Sequence, residues 1–175
     1  HLAHRRQRQM CIRDSYIAIT GSAGKTSVKD LTGFCLDKLD KTYYSKNSFN
    51  NKYGVPLSII KSPQSTKFSV LEVGMDKKGE IDTLTKLIKP NLGLITNISY
   101  AHIKNFKNLD EIAKAKGEII NNISPSGVMI INKDDKYCNY FISKAKMRNL
   151  NIITFSKKNK IADVVYLGER KNRNK

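Results

Sequence analysis

The sequence predicts an α/β fold, a mainly parallel sheet with helices on both faces. Two observations carry this. Short β-branched runs alternate with amphipathic segments along most of the chain, the pattern of successive strand–helix–strand units. The polar clusters also fall just after the predicted strands, where a parallel sheet opens its binding crevice. A chain of 175 residues can bury one real core and is too short for two ordinary domains.

The elements follow in order. The run Ile17-Ala18-Ile19-Thr20 reads as a buried strand, Gly21 and Gly24 permit a tight turn, and a helix begins near Lys25. Val28, Leu31, Cys35 and Leu39 recur at helical spacing, so they are expected to pack on the sheet, with Cys35 in the core. Residues 42–44 form a short strand, and Pro56 suits the first turn of a second helix. A strand over 68–73 closes on Glu72, and a helix over 80–89 is stopped by Pro90. Beyond it come a strand over 92–98, a helix over 109–123, a turn at 125–127 and a strand over 128–131. A helix over 137–147 and a strand over 152–155 complete the pattern.

Between the first strand and helix, TGSAGKTS has the layout of a phosphate cradle. Gly21, Ser22, Ala23, Gly24, Lys25, Thr26 and Ser27 form the loop, and the helix points its free N–H groups at it. Lys25 would supply charge to the β/γ oxygens of a triphosphate, and the Thr26 hydroxyl is placed to ligate Mg2+. The spacing is shorter than the general G-x-x-x-x-G-K-[ST] pattern, because Ile19 stands where that pattern has its first glycine. Glu72, closing the apolar pair Val70-Leu71, sits where such a site needs its Mg2+-binding acid, although a strand-end glutamate can also be simple surface.

Composition bounds the remaining classes. Thirty-two Lys+Arg against 15 Asp+Glu give +17, which invites a nucleic-acid reading. The lysines are scattered and no aromatic-basic stripe emerges, so a solvated basic surface is expected and no nucleic-acid partner. No apolar run approaches the roughly 18 residues needed to span a bilayer, and no apolar secretion segment opens the chain, so a cytoplasmic protein is expected. Cys11, Cys35 and Cys138 are too dispersed for a disulfide framework or a zinc site. Residues 1–15, which carry Arg5, Arg6, Arg8 and Arg13 but no lysine, read as a foreign segment, with a natural basic arm as the alternative.

The helix over 109–123 holds one anomaly. At about 100° per residue from Ile112, Lys116 falls at about +40°, among Leu109, Ile119, Ile120 and Ile123, whereas Lys114 falls at about 200° on the solvent face. An unpartnered buried ammonium is costly and its pKa falls. Lys116 is therefore paired, chemically special, or a lysine that snorkels past the core edge. A neutral amine there can take up CO2 as a carbamate, converting a cation into an anionic metal ligand.

Five ordered motifs, TGSAGKTS, SFNNKYGVP, LEVGMDKKGEI, TNISYAH and IAKAKGEI, resemble the central ATPase domain of the Mur ligases. The resemblance covers residues 16 to about 166 and places a central ATP-binding domain at 16–175, expected to be truncated at its C-terminal end and to lack the flanking domains. It implies an incomplete P-loop NTPase-like fold. The implied activity is an ATP-dependent, amide-forming ligase joining D-alanyl-D-alanine to UDP-N-acetylmuramoyl-tripeptide through an acyl phosphate, in peptidoglycan synthesis. The fragment alone is expected to be inactive. ATP and two Mg2+ ions are implied as cofactors, with Lys25, His102 and Lys116 catalytic. Thr26, Glu72, His102 and a carbamylated Lys116 are implied at the metals, with Asn50 and Asn51 near the muramoyl substrate. A monomer is expected. Asp76-Lys77 stands where the family commonly has Asn-His, which puts substrate contacts there in doubt. Another Mur-type amino-acid ligase, or a P-loop NTPase or kinase without ligase activity, remains an alternative.

Overall fold

The computed structural model describes residues 15–45, 47–100 and 105–168. Among these, seven strands form one parallel sheet in the order β2-β3-β1-β4-β5-β6-β7. The strands are β1 (Ser15–Thr20), β2 (Thr42–Tyr44), β3 (Phe68–Glu72), β4 (Leu92–Ile95), β5 (Val128–Asn132), β6 (Asn151–Ser156) and β7 (Val164–Val165). The helices are α1 (Lys25–Leu36), α2 (Gly54–Lys61), α3 (Glu80–Ile88), α4 (Leu109–Lys116) and α5 (Cys138–Met147). No helix among the described residues is long and apolar enough to cross a membrane.

Topology divides the helices between the faces. The step from β1 to β2 runs one way across the sheet, whereas the helical steps from β2 onward all run the other way. Right-handed crossovers therefore put α1 alone on one face and α2 to α5 on the other. Two apolar clusters follow. The larger joins Ala18, Leu71 and Ile95 to Ile81 and Ile88 of α3, Ile112 of α4 and Phe141 of α5. The smaller joins Ile17, Ile19 and Val70 to Val28 and Leu36 of α1. The chain direction reverses at β1, so the crevice beyond its carboxyl end is the topological switch point.

Four expectations needed correction. Cys35 is exposed, not in the core. Leu31 and Leu39 of the expected stripe are 66% and 77% exposed. Helix α1 instead seats Lys29 and Gly33 against the sheet side. The cause is close approach at Gly33, where a Cβ would lie 2.3 Å from the Tyr44 ring. Strand β4 stops at Ile95 rather than running to Ile98, because Thr96 and Asn97 turn their side chains to the glycine loop. The helix expected over 109–123 changes to a 3-10 stretch at Gly117–Asn122. There Lys144 Nζ takes the Gly117 carbonyl at 2.8 Å, drawing it from the helical ladder. Strand β7 gave no sequence signal.

Candidate active site

The loop between β1 and α1 is built on two glycines. Gly21 has φ +148°, and a Cβ on it would lie 1.9 Å from Thr96 Oγ1. Gly24 has φ +78° in the left-handed region, so a side chain there would strain the turn. The segment after β4 holds the loop in shape. Ser22 N–H donates to the Asn97 carbonyl at 2.9 Å, Ser22 Oγ to the Ser99 carbonyl at 2.9 Å, and Ala23 N–H to Asn97 Oδ1 at 3.2 Å. Thr96 Oγ1 donates to the Ala23 carbonyl at 2.6 Å. Gly24 provides no side-chain cap for α1, so the first-turn N–H groups remain suited to an anion. Ser27 is exposed beside them.

Both predicted lysines meet at this loop. Lys25 Nζ donates to the Gly21 carbonyl at 3.0 Å, and Lys116 Nζ reaches the same oxygen at 2.9 Å from α4. Lys116 is 1% exposed, which excludes snorkelling. Burial, reinforced by the charge of Lys25, lowers its pKa from 10.5 to about 7. Lys114, two residues away, is exposed, as the helical wheel requires.

Thr26 and Glu72 also come together. Thr26 Oγ1 donates to Glu72 Oε2 at 2.8 Å, and Asn50 Nδ2 donates to Glu72 Oε1 at 2.7 Å. Ser48 Oγ lies 3.1 Å from Thr26 Oγ1. Glu72 is buried at the end of β3, and its oxygens face only these neutral donors among the described residues. A buried carboxylate beside a hydroxyl, with no cationic partner among the described residues, is a hard-oxygen donor pair, and it fits Mg2+ whose other ligands come from phosphate and water.

A groove of about 640 Å3 opens beside Lys25, between Asn50, Asn51, Lys52, Asp76 and Lys77. Asn50 thus faces both the acid and the groove. The Asn51 side chain has a local task as well: its Oδ1 accepts from the N–H groups of Tyr53 and Gly54 at 3.1 and 2.9 Å, fixing the start of α2. Asp76 and Lys77 donate their N–H groups to Glu80 Oε2 at 2.6 and 3.0 Å, which shapes the groove wall.

His102 lies outside the described residues. Sequence reasoning gave no role to Ser48, although it opens the SFNN motif, nor to Thr96, whose position after an apolar run and opposite a required glycine was the available signal.

Comparison with known proteins identifies the family and the fold. Residues 19–173 match the Mur ligase middle domain. The UDP-N-acetylmuramoyl-tripeptide--D-alanyl-D-alanine ligase of Buchnera aphidicola (strain APS) is 40% identical over 144 residues, 82% of this chain and 31% of that protein. The enzyme of the same name from Borreliella burgdorferi is 42% identical over 137 residues, 78% of this chain and 29% of that protein. A crystal structure of MurF from Acinetobacter baumannii superposes with a TM-score of 0.83 at 33% identity, covering 93% of this chain and 34% of that one. The chain thus spans about a third of the relatives it matches.

Proposed function

We propose that this chain, which belongs to the Mur ligase family, is the nucleotide-binding part of a ligase that joins D-alanyl-D-alanine to UDP-N-acetylmuramoyl-tripeptide at the expense of ATP. The observation that carries the reading is the convergence of Lys25 and Lys116 on the Gly21 carbonyl beside the Thr26–Glu72 pair. The names of the similar enzymes supply the substrates.

In this reading the γ-phosphoryl group of ATP passes to the terminal carboxylate of the tripeptide, giving ADP and an acyl phosphate. The amine of D-alanyl-D-alanine then attacks the acyl carbon, loses a proton, and displaces inorganic phosphate as the amide forms. The enzyme's share is alignment and charge neutralisation. The α1 N–H groups and Lys25 hold the phosphates, while Thr26 and Glu72 hold Mg2+. Bound Mg2+ supplies neutralisation of the charge that builds on the phosphoryl oxygens. His102 is assigned to a second Mg2+. Lys116, as a neutral amine, would add to CO2 with loss of a proton, and the resulting carbamate would offer an anionic oxygen ligand to Mg2+. Asn50 and the adjoining groove receive the muramoyl-peptide end, and the enzyme works as a cytoplasmic monomer.

The test is phosphate release by the complete ligase that carries this chain. Release is expected only when both UDP-N-acetylmuramoyl-tripeptide and D-alanyl-D-alanine are present. ADP formation indifferent to the carboxylate substrate would instead identify an NTPase or kinase.

A further inference from the structure

A second lysine is buried beside the site. Lys29 lies one turn beyond Lys25 on α1 and is 0% exposed. Its Nζ donates to the Ser45 carbonyl and, at 3.3 Å, to the Asn47 carbonyl. Asp30 Oδ1 stands 3.1 Å away as its ionic partner. Ser45 Oγ also donates to the Asn47 carbonyl at 3.0 Å, so that oxygen accepts from both the serine and the lysine. Burying an amino group is costly unless it is bonded, and a shorter or apolar side chain here would leave the buried Ser45 carbonyl without this donor.

The residues just downstream of these carbonyls reach the metal-binding pair. Ser48 Oγ meets Thr26 Oγ1 at 3.1 Å, and Asn50 Nδ2 meets Glu72 Oε1 at 2.7 Å. The far end of the segment is fixed where Gly74 N–H donates to the Asn50 carbonyl at 2.7 Å. Lys29 thus secures the near end of a strap whose middle orients both Thr26 and Glu72.

We propose that Lys29 is a positioning residue for the Mg2+–nucleotide site: by holding the carbonyls of Ser45 and Asn47 it docks residues 47–51 so that Ser48 and Asn50 fix Thr26 and Glu72. It touches neither nucleotide nor metal, and it acts on the Mg2+-dependent part of nucleotide affinity. This rests on the assignment of Thr26 and Glu72 to Mg2+.

Calorimetric titration of the complete ligase with ADP, with Mg2+ and with EDTA, tests it. Lys29→Met is expected to weaken Mg2+–ADP binding by about tenfold while changing ADP binding in EDTA by less than about twofold, a split that general loosening of the fold would not produce. In an Asn50→Ala background the same substitution is expected to add less than about twofold, because both act through one segment. Equal losses with and without Mg2+, or full additivity with Asn50→Ala, overturn the proposal. Should Lys29→Met not fold, Lys29→Gln, which keeps one donor, is expected to show the same Mg2+-selective loss in smaller measure, and a loss indifferent to Mg2+ overturns the proposal there too. Thr26→Ala and Glu72→Gln are run alongside. If they leave Mg2+–ADP affinity unchanged, the metal assignment fails; if they weaken it and the Lys29 variants do not, only the positioning role fails.

Discussion

Lys116 offers the sharpest test, because its chemistry depends on one proton. With a pKa of about 7, the amine is about three-quarters unprotonated at about pH 7.5, whereas a lysine near 10.5 is about one-thousandth unprotonated. Only the unprotonated amine adds to CO2, so burial gives Lys116 an advantage of several hundred-fold over an ordinary surface lysine. The complete ligase, equilibrated with 13C-bicarbonate at about pH 8, should show a carbamate resonance by 13C NMR that disappears in Lys116→Ala and persists in Lys114→Ala. The sign of the pH dependence follows from the lowered pKa. Protonation as pH falls through about 7 removes the reactive amine, so carbamate and activity should decline together in that range, and bicarbonate removal should mimic the loss. Lys116→Ala should lose nearly all activity, with partial recovery on adding acetate, which can occupy the vacated anionic position. The reasoning fails if the resonance survives in Lys116→Ala, if wild-type protein shows none, or if the variant keeps near-normal rates.

Lys25→Ala should abolish binding of a non-hydrolysable ATP analogue by calorimetry while leaving the far-ultraviolet circular dichroism unchanged; unaltered affinity would remove Lys25 from the phosphates. Gly33→Ala should destabilise the fold by about 1–3 kcal/mol, because its new methyl meets the Tyr44 ring and α1 must lift from β2. Urea denaturation measures this, and a midpoint equal to wild type would mean that the helix has room to move.

What could be read in the sequence is what short-range pattern controls. The strand–glycine loop–helix unit was legible because the β-branched run of Ile17 to Thr20 and the positive-φ turns that Gly21 and Gly24 permit are written in consecutive residues. Lys116 was legible as an anomaly because one helix turn places it between isoleucines that any core would claim. The buried face of α1 was not legible from its leucines. A helix's apolar stripe predicts burial only when the sheet face opposite can receive it, and topology leaves α1 alone on its face. There the closest approach is set by the lack of a side chain at Gly33, and the neighbouring position inward is taken by a lysine. Hydropathy ranks Lys29, with Lys25, among the residues on that helix least suited to burial, yet the carbonyls of Ser45 and Asn47 accept it there. Those carbonyls belong to a chain segment brought in by the β1–β2 crossover. The two buried lysines therefore differ in how they can be found: Lys116 contradicts its own helix, whereas Lys29 becomes conspicuous only once its partners are in place.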